Sequence, residues 1–178
     1  MEPYLEYDFT YPEFFDFTTA DGVTLKGMIT LPWNFDEEKK YPIIINGYGL
    51  AGSQMAADWW GGRNYLWHQY MAQNGHIIVS INNRQTGGRG KAFKNLGYRD
   101  LGKWLINDHI EAVNYLGKFP YADTNRVGVW GWSGGGYFTA LALTKGADYF
   151  TTGVSIAPVT DWRLYDTAYT ERYMGLLS

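Results

Sequence analysis

The sequence predicts an α/β fold: a doubly wound, mostly parallel β-sheet with helices on both faces, preceded by a β-hairpin. The first supporting observation is the order of elements. From residue 41 onward, apolar runs typical of strands alternate with helical segments. The second is the kind of strand, because continuous apolar runs indicate strands buried on both faces. A length of 178 residues is enough for one domain with a sizeable core.

The amino-terminal strands are predicted within residues 1–40. Residues 14–19 are rich in phenylalanine and threonine, and residues 23–30 alternate apolar and polar side chains. Asp21 and Gly22 lie between these segments and favour a tight turn, so the two strands predict a hairpin. The charged residues 36–40 predict a solvated loop.

The remaining elements form the core of the predicted sheet. Strands are predicted at residues 41–46, 76–81, 127–130 and 152–157, with helices at 64–74, at 101–119 and from the third strand to about Gly146. The helix over residues 101–119 can present one apolar face, formed by Leu101, Leu105, Ile110, Val113 and Leu116. In parallel sheets the ligand lies beyond the carboxyl ends of the strands. One site is therefore expected where four loops converge, those beginning at Gly47, Asn82, Trp132 and Pro158.

The composition excludes several classes of function. A net charge of −3 and a pI near 5.6 provide no basic surface for nucleic acid. The chain has no cysteine, which rules out disulfides and thiolate metal sites. Its His, Asp and Glu residues show no metal-ligand spacing, so neither a metal nor a cofactor is expected. We find no apolar run long enough to cross a bilayer and no signal-peptide pattern at Met1.

Residues 131–135 read Gly-Trp-Ser-Gly-Gly, between a predicted strand and a helix of small residues. This is the G-x-S-x-G nucleophile elbow in the context that the motif requires. The turn brings its flanking residues against neighbouring backbone, which explains glycine at 131 and 135. Ser133 would project its hydroxyl off the sheet, and the N–H of Gly134 could donate to a developing oxyanion. The alternative is a flexible glycine turn, which the flanking strand and helix disfavour.

Two stretches resemble a known family. Residues 131–137 read Gly-Trp-Ser-Gly-Gly-Gly-Tyr; residues 157–162 read Ala-Pro-Val-Thr-Asp-Trp and lead into Tyr-Asp-Thr-Ala-Tyr-Thr-Glu-Arg-Tyr-Met at 165–174. From about residue 11 to 174 the chain resembles the catalytic domain of the dipeptidyl peptidase IV branch of the prolyl oligopeptidase (S9) serine peptidase family. The resemblance implies an α/β-hydrolase fold that is incomplete on its carboxyl-terminal side. Residues 1–178 would be part of one catalytic domain, with amino-terminal strands in 1–40 and the core in 41–178.

The resemblance also implies a function and a role for each matching residue. The function would be release of dipeptides after Pro or Ala at the second position of a peptide, through an acyl-enzyme on Ser133. The N–H of Gly134 and the hydroxyl of Tyr48 would stabilise the oxyanion. The pocket for the Pro or Ala side chain would be walled by Val159, Trp162, Tyr165 and Tyr169.

The chain departs from the family pattern at three points. Gly134 replaces a residue that is usually aromatic and lines the pocket, which predicts a looser pocket on that side. Leu50 and Ala51 replace the Gly-Pro that usually continues the oxyanion loop. Gln85 stands where the family favours glycine, and a positive φ at this position would strain it.

The acid and base of the triad are not recognisable in these residues. In α/β-hydrolases they follow the serine, whereas His68, His76 and His109 all precede Ser133. We therefore expect the chain to stop before the Asp and His of the triad and to be inactive alone. The partners that the resemblance implies are a peptide substrate, the missing carboxyl-terminal segment, the family's β-propeller and, as an option, a second copy in a homodimer. It also points to the periplasm or the cell surface.

Two other functions stay open at this stage. One is a catalytically inactive α/β-hydrolase-like module that acts by binding or assembly. The other is an acyl-aminoacyl peptidase or esterase, which would keep the elbow but show no preference for proline.

Overall fold

The structure, a computed structural model, describes residues 7–176, and of Gly62 and Arg63 only the backbone. The predicted domain's residues 1–6 and 177–178 lie outside the described part. The strands are β1 (Glu13–Thr18), β2 (Thr24–Thr30), β3 (Tyr41–Asn46), β4 (Ile77–Asn82), β5 (Ala122–Trp132) and β6 (Thr152–Ile156). The α-helices are α1 (Gly62–Gln73), α2 (Gly90–Lys94), α3 (Lys103–Leu116), α4 (Gly134–Lys145) and α5 (Thr167–Met174).

The six strands form one sheet in the order β1-β2-β4-β3-β5-β6. The hairpin of β1 and β2 joins β4 antiparallel, whereas β4, β3, β5 and β6 run parallel to one another. Strand order therefore reverses between β3 and β4, as in a doubly wound sheet. The predicted fold class is confirmed.

The core lies between the sheet and the helices α3 and α4. Ile43, Ile45 and Val129 on the strands and Phe138 on α4 are at most 2% exposed. The α3 helix also covers the hairpin, where Tyr115 stacks on Phe15 with ring centroids 5.6 Å apart. Helix α1 packs on the opposite face, against β2 and β4. No helix of residues 7–176 is long and apolar enough to span a membrane.

Helix α3 begins at Lys103 rather than at Leu101, with Gly102 as the residue before its first turn. The Asp100 carboxylate holds the turn that leads into the helix by accepting hydrogen bonds from the N–H groups of Gly102 (3.2 Å) and Lys103 (3.0 Å). It ends at Leu116, before Gly117, rather than at Phe119. Sequence analysis missed two helices, α2 and α5, together with two 3₁₀ turns at Asn95–Gly97 and Trp162–Leu164.

Candidate active site

Ser133 occupies the turn between β5 and α4 in a strained backbone conformation. Its φ of 57° and ψ of −112° lie where non-glycine residues are rare. Two hydrogen bonds fix this conformation: the Ser133 N–H donates to the Ile156 carbonyl (2.9 Å), and its carbonyl accepts from the Tyr137 N–H (3.0 Å). The turn is thus tied to both β6 and α4, as a nucleophile elbow requires.

The flanking glycines are required by contact with the loop after β3. A Cβ atom on Gly131 would lie 2.4 Å from the Gly47 carbonyl oxygen, and one on Gly135 would lie 2.3 Å from the same oxygen. Both distances are far inside van der Waals contact, and backbone atoms cannot move aside as a flexible side chain could. The steric reason predicted for these two glycines is present in the structure.

Tyr48 follows Gly47 and brings a phenol to the elbow. Burial raises the pKa of the Tyr48 hydroxyl, nearby Tyr165 raises it further, and hydrogen bonding with the Ser133 side chain works in the opposite direction. The phenol therefore stays protonated at neutral pH and can donate a hydrogen bond. A protonated donor beside a serine hydroxyl is what an oxyanion site needs.

Three aromatic side chains form a cluster beside Tyr48, which we call the aromatic box: Trp162, Tyr165 and Tyr169. Ring centroids of Trp162 and Tyr169 are 5.6 Å apart and stacked, and Tyr165 meets both edge-on at 5.9 and 5.8 Å. Val159 nearby is 9% exposed. The Tyr169 hydroxyl is buried and has no hydrogen-bond partner in the described part of the chain. Burial also raises its pKa, with Tyr48 adding to the shift, so the two phenols interact.

Short polar contacts hold the box in place. The Asp166 carboxylate caps α5 by accepting from the Tyr169 N–H (2.9 Å), and the Thr170 hydroxyl donates to the Trp162 carbonyl (3.2 Å). Asp161 accepts from the Arg163 N–H (3.0 Å) and closes the preceding turn. The box is therefore a folded unit rather than a set of surface rings.

The turn after β4 holds the Tyr48 loop from its other side. Amide groups of Asn83 and Gln85 each donate to the Gly49 carbonyl at 3.0 Å, and Gln85 also donates to the Leu101 carbonyl (3.0 Å). Gln85 has φ of 79°, so the strain expected at this position is present. We call these hydrogen bonds from Asn83 and Gln85 the amide clamp. It was not predicted from the sequence, although two asparagines and a glutamine directly after a buried strand could have indicated it.

Arg84 anchors the same turn to α3. Its guanidinium donates to the Asp108 carboxylate (Nε to Oδ1, 2.9 Å), which also accepts from the Arg84 N–H (2.6 Å). The guanidinium lies 3.7 Å from the Trp104 ring centroid, and Asp21 binds it from the hairpin turn. Arg84 is 4% exposed and Asp108 fully buried, so each satisfies a charge that would otherwise be unpaired.

Leu50 changes the interpretation of Gly134. A Cβ atom on Gly134 would lie 2.3 Å from Leu50 Cδ1 and 3.1 Å from Tyr48 Cζ. Leu50 is 2% exposed and fills the space beside residue 134. Leu50 thus takes part of the space that a side chain at residue 134 would need, and the looser pocket stays a prediction. The two departures from the family pattern, at residues 50 and 134, are sterically coupled.

None of the histidines bonds Ser133 within residues 7–176. His109 is fully buried on α3 against Phe138, its Nδ1 is 2.6 Å from the Leu105 carbonyl oxygen, and burial lowers its pKa to about 4. His68 lies on α1 beside Trp130, and His76 Nδ1 is 3.2 Å from the Met71 carbonyl oxygen. The described residues contain no cluster of His, Asp and Glu that could hold a metal.

Comparison with known proteins agrees with this arrangement. The model of the prolyl oligopeptidase family matches residues 64–178. Human dipeptidyl peptidase 8 is 38% identical over 169 residues, which are 94% of this chain and 19% of that protein. A Trichophyton verrucosum protein named probable dipeptidyl-aminopeptidase B is 42% identical over 162 residues, 89% of this chain and 18% of its own length.

A solved structure shows the same fold. The dipeptidyl peptidase 4 of Porphyromonas gingivalis superposes with a TM-score of 0.92 at 36% identity, over 98% of this chain and 24% of that chain. The chain thus spans roughly a fifth to a quarter of the relatives it matches. With an α/β-hydrolase sheet, a serine elbow and these relatives, the chain belongs to the prolyl oligopeptidase family and resembles its dipeptidyl peptidase IV branch.

Proposed function

We propose that this chain carries the nucleophile, the oxyanion donors and the specificity pocket of a serine dipeptidyl peptidase that cleaves after Pro or Ala at the second position. The observation that carries the proposal is Ser133, held in a strained elbow with the Tyr48 phenol beside it. The family relation supports it, because relatives of nearly 40% identity are named dipeptidyl peptidases.

In the proposed reaction the Ser133 hydroxyl attacks the peptide carbonyl as a base removes its proton. The tetrahedral oxyanion accepts hydrogen bonds from the Tyr48 hydroxyl and the Gly134 N–H, at the amino end of α4. Collapse of the intermediate expels the protonated amine and leaves an acyl-enzyme, which water then hydrolyses. Since the three histidines precede Ser133 and none bonds it in the described residues, the base would be a histidine elsewhere in the polypeptide.

The aromatic box supports the proposed preference for proline. A pyrrolidine ring is compact, apolar and without an N–H that needs a partner, so it suits a pocket walled by rings and by Val159. Burial raises the pKa of the Tyr169 hydroxyl, so this box residue is shielded from solvent. Tyr165 is 41% exposed and would close the pocket toward the substrate.

Residues 1–178 would form one partial catalytic domain, with the hairpin strands in 1–40 and the core in 41–178. Strand β6 is the outer strand of the described sheet beyond β5, and Val154 on it is 60% exposed. We propose that further chain of the same polypeptide, a β-propeller and a second copy are its partners. Such contacts would cover the exposed apolar surface.

The test is fluorophosphonate labelling of the full polypeptide that the gene encodes, followed by hydrolysis of Gly-Pro and Gly-Phe p-nitroanilides. Ser133→Ala should abolish labelling and turnover, whereas the matched control Ser155→Ala should retain both. Tyr48→Phe should lower kcat by about 10²-fold or more, as for loss of one oxyanion donor.

Each remaining outcome identifies another function. Labelling without a preference for proline over phenylalanine would indicate an acyl-aminoacyl peptidase or esterase. A folded polypeptide that is not labelled, and in which Tyr48→Phe changes nothing, would indicate an inactive binding module. Either result contradicts the proposal.

A further inference from the structure

A cavity of about 370 Å³, separate from the site around Ser133, lies on the face of the sheet that α1 covers, away from α3 and α4. We call it the α1-face cavity. Its floor is a row of neighbouring strand residues: Phe14 pairs with Met28, and Met28 pairs with Ser80. Because Ile45 lies opposite Val79 in the parallel pair of β3 and β4, Asn46 lies next to Ser80. Residues paired in this way point to the same face.

The floor is polar at its centre. Asn46 is 6% exposed and Ser80 3%, and both polar side chains line the cavity. Above them His68 on α1 also lines the cavity, and its Nε2 is buried without a partner in the same described part. Buried polar groups are nearly always hydrogen-bonded, so an unpartnered His68 Nε2 that shares one cavity with the polar side chains of Asn46 and Ser80 indicates a missing partner.

The walls are aromatic, and hydrogen bonds hold the backbone that leads into them. Trp59, Trp60 and Tyr65 line the cavity, and the rings of Trp60 and Tyr65 are 4.8 Å apart. The loop that carries Trp59 and Trp60 is fixed by Asn82, whose side chain accepts from the N–H groups of Met55 (2.7 Å) and Ala56 (3.0 Å). A backbone held in this way lowers the entropic cost of binding.

The other rim is fixed in the same way. Gln69 on α1 is 2% exposed, accepts from the Thr10 N–H (2.9 Å) and donates to the Thr10 carbonyl (2.7 Å). This pair of hydrogen bonds holds Tyr11, which lines the cavity, against α1. Hydrogen bonds therefore hold the backbone near both edges, while the side chains of Tyr11, Trp59 and Trp60 are exposed.

The charges around the cavity favour a neutral ligand. Among the described lining side chains the acid is Asp58, which is exposed, and none is Lys or Arg. Burial lowers the pKa of His68 to about 4, so its imidazole is neutral at pH 7. Among the described side chains an ion at the floor would thus meet dipoles, with the exposed Asp58 as the charged lining residue, and burying an unpaired ion is costly.

We propose that the α1-face cavity is a second binding site, which takes a small uncharged aromatic molecule carrying a hydrogen-bonding group such as an amide. The ring lies between the aromatic walls, and the polar group bonds Asn46, Ser80 and His68. This site is separate from Ser133 and does not depend on the proposed peptidase activity.

The test is a saturation-transfer NMR titration of the full polypeptide with four probes of one shape: benzamide, benzoate, benzylamine and ethylbenzene. Benzamide should bind with a Kd of about 1 mM, as expected for so small a ligand, and the other three at least fivefold more weakly. Stronger binding of benzoate or benzylamine would overturn the uncharged class. Equal binding of ethylbenzene would overturn polar recognition, and no benzamide binding would mean that only water fills the cavity.

Two variants locate the probe. Ser80→Ala, with an unchanged melting midpoint, should weaken benzamide binding about fivefold, the loss expected for one hydrogen bond. Tyr165→Ala in the aromatic box should leave it unchanged. The reverse pattern would place benzamide in the peptidase site and overturn the proposal. The four-probe comparison on unmodified protein tests the same claim without any variant.

Discussion

Two turns at the carboxyl edge of the sheet hold their strained residues in opposite ways. The elbow after β5 depends on missing side chains, because Cβ atoms at Gly131 and Gly135 would meet the Gly47 carbonyl oxygen. The turn after β4 depends on side chains, because Gln85 keeps φ of 79° while its amide bonds two carbonyls. Both turns carry a non-glycine residue at positive φ, yet only the elbow surrounds it with glycine.

Both turns act on the same loop, which carries Tyr48. The elbow contacts the loop at the Gly47 carbonyl, and the β4 turn bonds it at the Gly49 carbonyl. Tyr48 lies between these two contacts. Backbone contact at the elbow leaves no room for a side chain at Gly131 or Gly135, whereas in the β4 turn Gln85 stands in place of the family's glycine and adds hydrogen bonds. Substitutions of the elbow glycines should therefore abolish the folded active site, whereas substitutions in the β4 turn should reduce stability by smaller steps.

The largest expected effect is at the elbow. Gly131→Ala places a Cβ 2.4 Å from the Gly47 oxygen and 2.6 Å from the Gly135 carbonyl carbon, and backbone on both sides prevents relief. We expect a loss of more than about 4 kcal/mol and no labelling of Ser133. Gly128→Ala on the same strand is the control, because its Cβ would be 3.3 Å from the Thr152 methyl. A stable, labelled Gly131→Ala protein would refute the steric account.

The second effect tests the ion pair behind the β4 turn. Asp108→Ala leaves the buried Arg84 cation without its bidentate partner and should cost about 3–5 kcal/mol of unfolding free energy. Asp21→Ala removes the exposed partner of the same guanidinium and should change the melting midpoint little. Thermal melting of both variants gives the answer. Equal losses of unfolding free energy in the two variants would mean that the buried carboxylate of Asp108 contributes no more to stability than the exposed carboxylate of Asp21.

The third prediction concerns pH, through His109 on α3. It packs 4.1 Å from the ring centroid of Phe138, whose ring in turn fills the space beside Gly47. Burial lowers its folded-state pKa to about 4, below the unfolded value of about 6.5. The unfolded state therefore binds more protons between these values, and stability is lost as pH falls through this window. We expect His109 to account for about 3 kcal/mol of that loss.

Melting midpoints at pH 7 and pH 4.5 measure this effect. His109→Phe keeps a ring against Phe138 but cannot titrate, so its midpoint should fall less between the two pH values. The matched control is Ile110→Val, next to His109 on α3, which removes no titratable group and should therefore retain the pH dependence of the unmodified protein. An unchanged slope in His109→Phe would exclude His109 as the titrating group.

Much of the fold was predictable because its signals are local. The apolar run of β3, Tyr41–Asn46, matches the predicted strand, and the hairpin pairs as its alternation predicted. Ser133 was predictable because the elbow glycines are required by backbone contact, which any chain with this turn must satisfy. Tyr48 and the aromatic box rested on family resemblance, and the structure brings them together.

What escaped prediction depends on contacts between distant residues. The Arg84–Asp108 pair joins the turn after β4 to α3 across 24 positions, and an aspartate within a predicted helix would be expected at the surface. Leu50 fills the space beside Gly134 across 84 positions, a coupling that single positions do not reveal. The α1-face cavity likewise forms only when three strands align Met28, Ser80 and Asn46.

The smallest effect measures how the β4 turn replaced glycine. Gln85→Ala keeps the positive φ strain and removes the bonds to the Gly49 and Leu101 carbonyls, whereas Gln85→Gly removes the same bonds but relieves the strain. The glycine variant should therefore be more stable than the alanine variant by about 1 kcal/mol, the cost of a non-glycine residue at positive φ. Unmodified protein should be more stable than either, because two buried hydrogen bonds outweigh that cost. Denaturant midpoints of the three proteins decide the order. A glycine variant more stable than the unmodified protein would mean that the amide clamp does not offset the strain, and that the two turns differ less than their contacts indicate.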